Sequence, residues 1–343
     1  METIPFYGTI QNKLRENGKK NSMRVLSGIQ PSGTLHLGNY FGMMLRMIKY
    51  QNENELFCFI ANYHALTTLP NSKNLKKNTF NAACDFLALG LDPDKSTFWI
   101  QSDVPQVTEL TWILSSLVNI GLLDRATSYK DKVSQGLKPN MGLYSYPILM
   151  TADILLFNSE IVPVGKDQKQ HLEMAREIAN RFNNTYGDIF NIPKEDIDQV
   201  TQLVPGTDGK KMSKSYKNTI PIFEEDKKIR KTIMKIITDT TDIDKPKNIN
   251  TPLFELYCLF LEKNKQEELK LRFQNPGLKY GEVKQELFEI IMDHFEPYRK
   301  KREELIKNPS NVITILKSGA KKAIETAEEV LEKVRSATGI SLQ

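Results

Sequence analysis

The sequence predicts an α/β fold in which a doubly wound parallel sheet is followed by a helical domain. Up to about residue 222, apolar runs of strand length alternate with longer segments whose apolar residues recur at helical spacing. Such alternation is typical of a parallel sheet covered by helices on both faces. Beyond residue 222 the strand-length runs stop, whereas helical spacing continues through the rest of the sequence.

The predicted strands are short and apolar, and they are separated by predicted helices. The strands occupy residues 24–29, 56–63, 97–101 and 160–164. The helices between and after them occupy residues 37–50, 72–89, 109–119, 142–157 and 167–182, with Ser72 as the predicted N-cap of the second. In the last third of the chain, helices are predicted at residues 224–237, 253–262, 281–307 and 309–335.

This pattern divides the chain into three parts. Residues 1–22 are polar and lack a sustained apolar period, so we expect an extension outside the fold. Residues 23–216 form the predicted sheet domain, and residues 217–343 form the predicted helical domain.

Composition excludes several classes of protein. Hydrophobic residues make up 40% of the 343 residues and charged residues 26%, a balance typical of a globular protein with a core. No apolar run approaches the ~20 residues of a membrane helix, and no secretion signal is recognisable. Three scattered cysteines and four histidines argue against disulfides and a protein-bound metal. We therefore expect a cytoplasmic protein without a membrane anchor.

The first candidate motif lies at the junction between the first predicted strand and the first predicted helix. It reads Gly33-Thr34-Leu35-His36-Leu37-Gly38-Asn39. A helix N-terminus offers free N–H groups and a partial positive charge, which suit a polyphosphate. Gly38 removes the side chain where a nucleotide could approach the backbone. The alternative interpretation, in which His36 only caps a helix, has equal weight on this motif alone.

The second candidate motif is Lys211-Met212-Ser213-Lys214-Ser215, preceded by Pro205-Gly206 and Asp208-Gly209. Two lysines three residues apart on a glycine-flanked loop can neutralise the charge that develops on departing phosphates. An ordinary solvated basic loop is the alternative, but the first motif upstream disfavours it.

Together the two motifs resemble the HIGH and KMSKS signatures of class I aminoacyl-tRNA synthetases. Asn39 stands where the signature has its second histidine, a departure found in the tryptophan branch. Three further segments resemble bacterial tryptophanyl-tRNA synthetases, and the resemblance runs from about Arg24 to the C-terminus. They are Ser27–Gly33, Tyr146–Leu155 and Val162–His171. The resemblance implies a Rossmann-like sheet with a C-terminal helical domain for anticodon recognition, and ligands at the switch point of the sheet.

The resemblance also implies site residues. Lys211, Lys214, His36 and Asn39 are the expected catalytic residues. The expected ATP-binding residues are Gln30, Pro31, Ser32, Gly38, Asn39, Gly165, Lys166, Asp167, Val204, Lys211, Met212, Ser213, Lys214 and Ser215. The expected tryptophan-binding residues are Asp153, Tyr146, Met150 and Gln168. Lys166 departs from the acidic residue expected there, and Lys130 is a further candidate near the pyrophosphate.

Asp153 also stands out on physical grounds. A carboxylate on an apolar helix is costly to bury unless a donor meets it. Tyr146, Met150 and Asp153 share one helical face, and the resemblance implies that an indole N–H is that donor. The alternative is a structural pairing in the core. For His64 and His171, a packed structural role and a ligand role weigh equally.

The implied function is tryptophan–tRNA ligation, with ATP as substrate, Mg²⁺ carried on its phosphates, and L-tryptophan and tRNA(Trp) as partners of a homodimer. No protein-bound metal is expected. The nearest alternative is a tyrosine–tRNA ligase, which would be expected to carry glutamine in place of Met150. A nucleotidylyltransferase and a non-catalytic RNA-binding relative are less favoured, because the second lysine motif and His36 are intact. The interpretation as a dinucleotide-dependent dehydrogenase is rejected, because the dinucleotide-binding motif G-x-G-x-x-G is absent.

Overall fold

The computed structural model describes residues 22–68, 71–134, 136–165, 168–196 and 204–342. The predicted N-terminal extension therefore lies outside the described residues, apart from Ser22. Among the described residues, no helix is both long and apolar enough to span a bilayer.

The described residues form a five-stranded parallel sheet with the order β3-β2-β1-β4-β5. Its strands are β1 (Arg24–Ile29), β2 (Glu55–Ile60), β3 (Ser96–Ile100), β4 (Ile161–Pro163) and β5 (Lys194–Asp196). In β2 every residue after Glu55 is buried, as expected for a parallel strand covered on both faces. The first four strands confirm the predicted sheet, whereas β5 was not predicted because its sequence is charged.

Helices occupy the connections and the last third of the chain. They are α1 (Leu37–Asn39), α2 (Leu45–Glu53), α3 (Asn62–Ala65), α4 (Ser72–Ala88), α5 (Gln106–Ser115), α6 (Ile120–Asp124), α7 (Thr127–Ser134), α8 (Met141–Leu156), α9 (Lys169–Tyr186), α10 (Asp226–Met234), α11 (Pro252–Cys258), α12 (Lys263–Gln274), α13 (Tyr280–Lys307) and α14 (Pro309–Thr338). No strand follows residue 196 among the described residues. The α/β fold with a helical C-terminal part is therefore confirmed.

Two local features differ from the sequence-based prediction. The N-cap of α4 is Asn71, whose side chain accepts a hydrogen bond from the Lys73 N–H, so the prediction of Ser72 was wrong by one residue. Both residue types cap helices well, which is why the sequence did not separate them. In addition, residues Tyr40–Met44 form a π-helical turn between α1 and α2, a feature that often accompanies functional sites.

The described chain forms two compact units, and each is contributed by separated segments. Unit 1 contains residues 34–46 and 204–301, and unit 2 contains residues 22–33, 47–196 and 302–342. Each unit combines residues from both sides of the boundary predicted at residue 216. The reason in unit 1 is backbone pairing: Leu37 N–H donates to Ile220 O at 3.0 Å and Ile222 N–H donates to Leu35 O at 3.1 Å. In unit 2, α14 packs against β3.

The contact between α14 and β3 leaves no room for a side chain at Gly319. A Cβ atom there would overlap the backbone carbonyl of Phe98, and backbone cannot yield as a side chain can. We expect Gly319→Ala to lower the free energy of unfolding by about 1–3 kcal/mol or more, the usual cost of overpacking. Gly281→Ala in α13 is the matched control, because nothing lies within 4 Å of its added methyl group. Urea unfolding measures both variants, and an unchanged Gly319→Ala midpoint would show that the helix shifts freely.

Candidate active site

The first predicted motif begins the helical segment of unit 1. His36 is the N-cap of α1, only 6% exposed, and its backbone N–H donates to Asn39 Oδ1 at 3.1 Å. The Nδ1 atom of His36 is buried and has no hydrogen-bond partner among the described residues. A methyl group at Gly38 would lie 3.0 Å from that atom. A glycine at this position therefore leaves room for the imidazole ring.

The second predicted motif is joined directly to the first within unit 1. The Gly38 N–H donates to Met212 Sδ at 3.3 Å, and Met212 is only 4% exposed. The Met212 N–H donates to Val204 O at 2.9 Å, which pairs the two sides of the loop. The buried thioether thus anchors the loop beside His36, whereas Lys211 and Ser215 are exposed and Lys214 is half-buried.

The burial of His36 and the nearby Lys214 determine the charge of the imidazole. Burial and, to a smaller extent, the nearby Lys214 ammonium lower the pKa of His36 to about 4. The imidazole is therefore neutral at pH 7, and the positive charge in the cluster comes from lysine. A neutral imidazole beside the Lys214 ammonium can hydrogen-bond to an oxyanion or a ribose hydroxyl without carrying a charge itself.

The carboxyl ends of β1 and β4 hold other predicted nucleotide-binding residues. The chain winds from β1 to β2 and β3 on one side and returns to β4 and β5 on the other, so the direction reverses between β1 and β4. Ligands of doubly wound sheets bind at such a switch point. Gln30, Pro31 and Ser32 follow β1, and Gly165 follows β4. The predicted ATP-binding residues Lys166 and Asp167 lie outside the described residues, and Lys130 is exposed on α7.

Unit 2 also contains a buried carboxylate site. Asp153 on α8 is 3% exposed, and Gln101 Nε2 donates to both of its oxygens at 2.9 and 2.8 Å. His64 Nε2 lies 2.9 Å from Asp153 Oδ2. Burial raises the pKa of Asp153, and the hydrogen bonds from His64 and Gln101 oppose that rise. Two donors therefore fix the orientation of the carboxylate, and Oδ1 accepts only one hydrogen bond from the described residues.

Of the other predicted tryptophan-binding residues, Tyr146 contacts the group around this carboxylate, through the His64 ring. Tyr146 is buried, its hydroxyl lies 2.7 Å from His171 Nε2, and its ring meets the His64 ring edge-on at 6.2 Å. Met150 is half-buried beside the core. Gln168 precedes α9, and its N–H donates to Gly165 O at 2.9 Å. Asp153, His64 and Tyr146 therefore form one connected group.

Comparison with known proteins decides the family. The sequence matches the family model of class I tRNA synthetases (W and Y) over residues 18–296. It is 50% identical to the tryptophan–tRNA ligase of Fusobacterium nucleatum over 318 residues, which cover 92% of this chain and 98% of that protein. The chain belongs to the tryptophan–tRNA ligase family of class I synthetases.

Solved structures agree with this assignment. The tryptophanyl-tRNA synthetase of Campylobacter jejuni, complexed with ADP and tryptophan, matches with a TM-score of 0.89 at 49% identity, covering 92% of this chain and all of that chain. The enzyme of Mycoplasma pneumoniae matches with a TM-score of 0.80 at 30% identity, covering 93% and 98%. The predicted family, the Rossmann-like fold and the ligase class are confirmed.

Sequence reasoning missed two residues that hold the Asp153 carboxylate of this synthetase. Gln101 was not singled out, and His64 was weighed equally between a structural and a ligand role. Both are buried polar residues at the carboxyl ends of strands, Gln101 directly after β3 and His64 four residues after β2. A polar residue buried at that edge of a parallel sheet is the signal that could have found them.

The lowered pKa of His36 gives a pH prediction. Its pKa is about 4 in the folded state and near 6.5 in an unfolded chain, so the unfolded state binds the proton more tightly. The contribution of His36 to stability is therefore complete above pH 6.5 and is lost as the pH falls from 6.5 through 4.

Histidine NMR spectra test this, because only four histidines must be assigned. The His36 Cε1–H resonance, identified by its loss in His36→Asn, should not titrate between pH 5 and 8. A midpoint above pH 6 would contradict a desolvated, lysine-flanked imidazole.

Proposed function

We propose that this chain activates L-tryptophan with ATP, giving tryptophanyl-adenylate and pyrophosphate, and then transfers tryptophan to tRNA(Trp). The buried, oriented carboxylate of Asp153 is the observation that carries this proposal. An indole N–H is a donor only, and it matches an oriented carboxylate oxygen that has capacity for another hydrogen bond.

Asp153 is the proposed recognition residue for the indole. Gln101 and His64 hold the carboxylate, while Oδ1 accepts the indole N–H. Tyr146, Met150 and Gln168 line the rest of the proposed pocket. A tyrosine substrate is the second candidate within the same family model. A phenol is both a hydrogen-bond donor and an acceptor, whereas the half-buried thioether of Met150 is only a weak acceptor.

The proposed nucleotide-binding residues follow β1 and β4 and lie in or beside the two motifs. Gln30, Pro31, Ser32 and Gly165 stand at the switch point, and Lys166, Asp167 and Val204 complete the proposed adenosine contacts. Gly38 and Asn39 are assigned to the phosphates. Among the described residues, no group of three or more His, Cys, Asp or Glu side chains is arranged to hold a metal ion. We assign the Mg²⁺ of the reaction to the ATP phosphates, as part of the substrate.

The proposed chemistry needs no protein nucleophile. The tryptophan carboxylate attacks the α-phosphorus of ATP, and the bond to the leaving pyrophosphate breaks. Lys211 and Lys214 stabilise the negative charge that develops on that leaving group, with Met212, Ser213 and Ser215 forming the rest of the loop. His36 and Asn39 orient the phosphates. The 3′-terminal ribose hydroxyl of tRNA then attacks the adenylate carbonyl, and AMP leaves.

The proposed function also includes binding of tRNA and formation of a homodimer. We propose that the C-terminal helical region, residues 217–343, recognises the anticodon. A homodimer is supported by large apolar side chains exposed in neighbouring helices of unit 2, namely Trp112 (79%), Ile120 (71%) and Met141 (73%), since exposed apolar surface of this kind marks interfaces. We place the activity in the cytoplasm, where its tRNA and ATP are available.

Charging of tRNA tests the proposed function as a whole. Purified chain, ATP, Mg²⁺, tRNA(Trp) and radiolabelled tryptophan should give acid-precipitable label on the tRNA, and light scattering should give twice the chain mass. tRNA(Tyr) with labelled tyrosine is the matched control. Charging of tRNA(Tyr) in place of tRNA(Trp) would establish the alternative substrate.

A further inference from the structure

We propose that Asn218 is a positioning residue that holds the lysine loop, residues 204–218, in the shape from which its lysines act. The inference rests on the proposed role of Lys211 and Lys214. Asn218 follows the lysine motif and is only 2% exposed. A buried amide must satisfy both its donors and its acceptor within the protein, so its partners reveal what it holds.

The side chain of Asn218 bonds to three separate points of the loop. Its Oδ1 accepts the Ser213 N–H at 2.8 Å. Its Nδ2 donates to Asp208 Oδ1 at 2.6 Å and to Lys211 O at 3.0 Å. These bonds fix the backbone on both sides of Met212, between Lys211 and Ser213. The two lysines consequently extend from a backbone held by one amide.

The opposite side of the loop is shaped around the same amide. The Thr207 N–H donates to the backbone carbonyl of Asn218 at 3.0 Å, and the Gly206 N–H donates to Lys210 O at 2.6 Å. A Cβ atom at Gly206 would overlap the Asn218 amide. The glycine before the motif therefore makes room for the asparagine after it.

Only an amide satisfies all three side-chain contacts. Asp208 is an acceptor, and its hydrogen bond from Asn218 is the largest cause that lowers the pKa of its carboxyl. A carboxylate at position 218 could still accept from Ser213, but it would face Asp208 and the Lys211 carbonyl without a hydrogen to donate. Repulsion would then displace the backbone that carries the lysines.

The test is a cycle of Asn218→Asp, Asp208→Asn and the double variant, measured by tryptophan-dependent ATP–pyrophosphate exchange. Asn218→Asp should lower kcat about 100-fold, the usual scale for misplacing a catalytic group by an ångström. The KM for tryptophan should stay within about twofold, because interactions made mainly in the transition state appear in kcat. Asp208→Asn keeps an acceptor for Asn218 and should cost less than about fivefold in kcat.

The double variant supplies the rescue that a merely structural role would not give. Its amide at position 208 can donate to its carboxylate at position 218, which restores the hydrogen bond with donor and acceptor exchanged. The kcat should therefore recover at least about tenfold from the Asn218→Asp value. Asn218→Ser keeps one hydrogen bond without a buried charge and serves if Asn218→Asp fails to fold; it should lower kcat about tenfold at unchanged tryptophan KM.

Lys214→Ala, measured in parallel, separates this inference from the function on which it rests. If Lys214→Ala is slow while Asn218→Asp and Asn218→Ser keep wild-type kcat, the loop acts as proposed and the role of Asn218 is wrong. A slow Asn218→Asp that Asp208→Asn fails to rescue also overturns it. If Lys214→Ala is itself fully active, the proposed role of the loop fails first.

Discussion

Asp153→Ala is expected to lower kcat/KM for tryptophan by roughly 10⁴, because a site built around a buried hydrogen bond discriminates on the scale of 10⁴–10⁵. The wild-type pocket presents a desolvated carboxylate, which phenylalanine leaves unpaired. The small kcat/KM for phenylalanine should therefore change little in the variant, and the preference for tryptophan should collapse. Pyrophosphate exchange with each amino acid measures the ratio.

Asp153→Ala also leaves the donors of His64 and Gln101 buried without their acceptor, so stability must be checked. Asp85→Ala is the matched control: Asp85 is equally buried in unit 2 and pairs with Arg302. Removing that carboxylate should lower the melting temperature as well but preserve the tryptophan-to-phenylalanine ratio. A folded Asp153→Ala enzyme with the wild-type ratio would assign indole recognition to another residue.

Lys214→Ala is expected to slow adenylate formation by about 10²–10³, the usual cost of losing one well-placed electrostatic donor. The Lys214 ammonium stabilises the negative charge that develops as pyrophosphate departs. Its loss should therefore lower kcat, while the KM for tryptophan stays near its wild-type value. Single-turnover formation of adenylate measures the step directly.

Lys217→Ala is the control for this loop, because Lys217 is an exposed lysine three residues further along the chain. Its removal changes the net charge equally and should leave the rate within about twofold, as expected for a solvated charge. Equal losses in the two variants would mean that the loop acts through overall charge.

Periodicity was sufficient to predict the fold because the strands are buried on both faces and stand out as apolar runs. β2, with every residue after Glu55 buried, is such a strand. Charged β5 (Lys194–Asp196) has no such run, so its pairing with β4 could not be anticipated. The π-helical turn after Asn39 could not be predicted either, because its residues have ordinary helical spacing.

The site was predictable where motifs are contiguous and was missed where the fold assembles it. His36 and Lys214 were identified from short signatures, and burial of Met212 against Gly38 shows how those signatures meet. Gln101 and Asp153 are 52 residues apart in the sequence. Their contact depends on β3 ending beside α8, which no local pattern specifies.

We propose that the chain activates tryptophan and no other amino acid. ATP–pyrophosphate exchange with each of the twenty amino acids tests it most directly, because exchange requires both recognition of the amino acid and attack on ATP. We expect exchange with tryptophan alone. Exchange with tyrosine alone, or with none of the twenty, would contradict it.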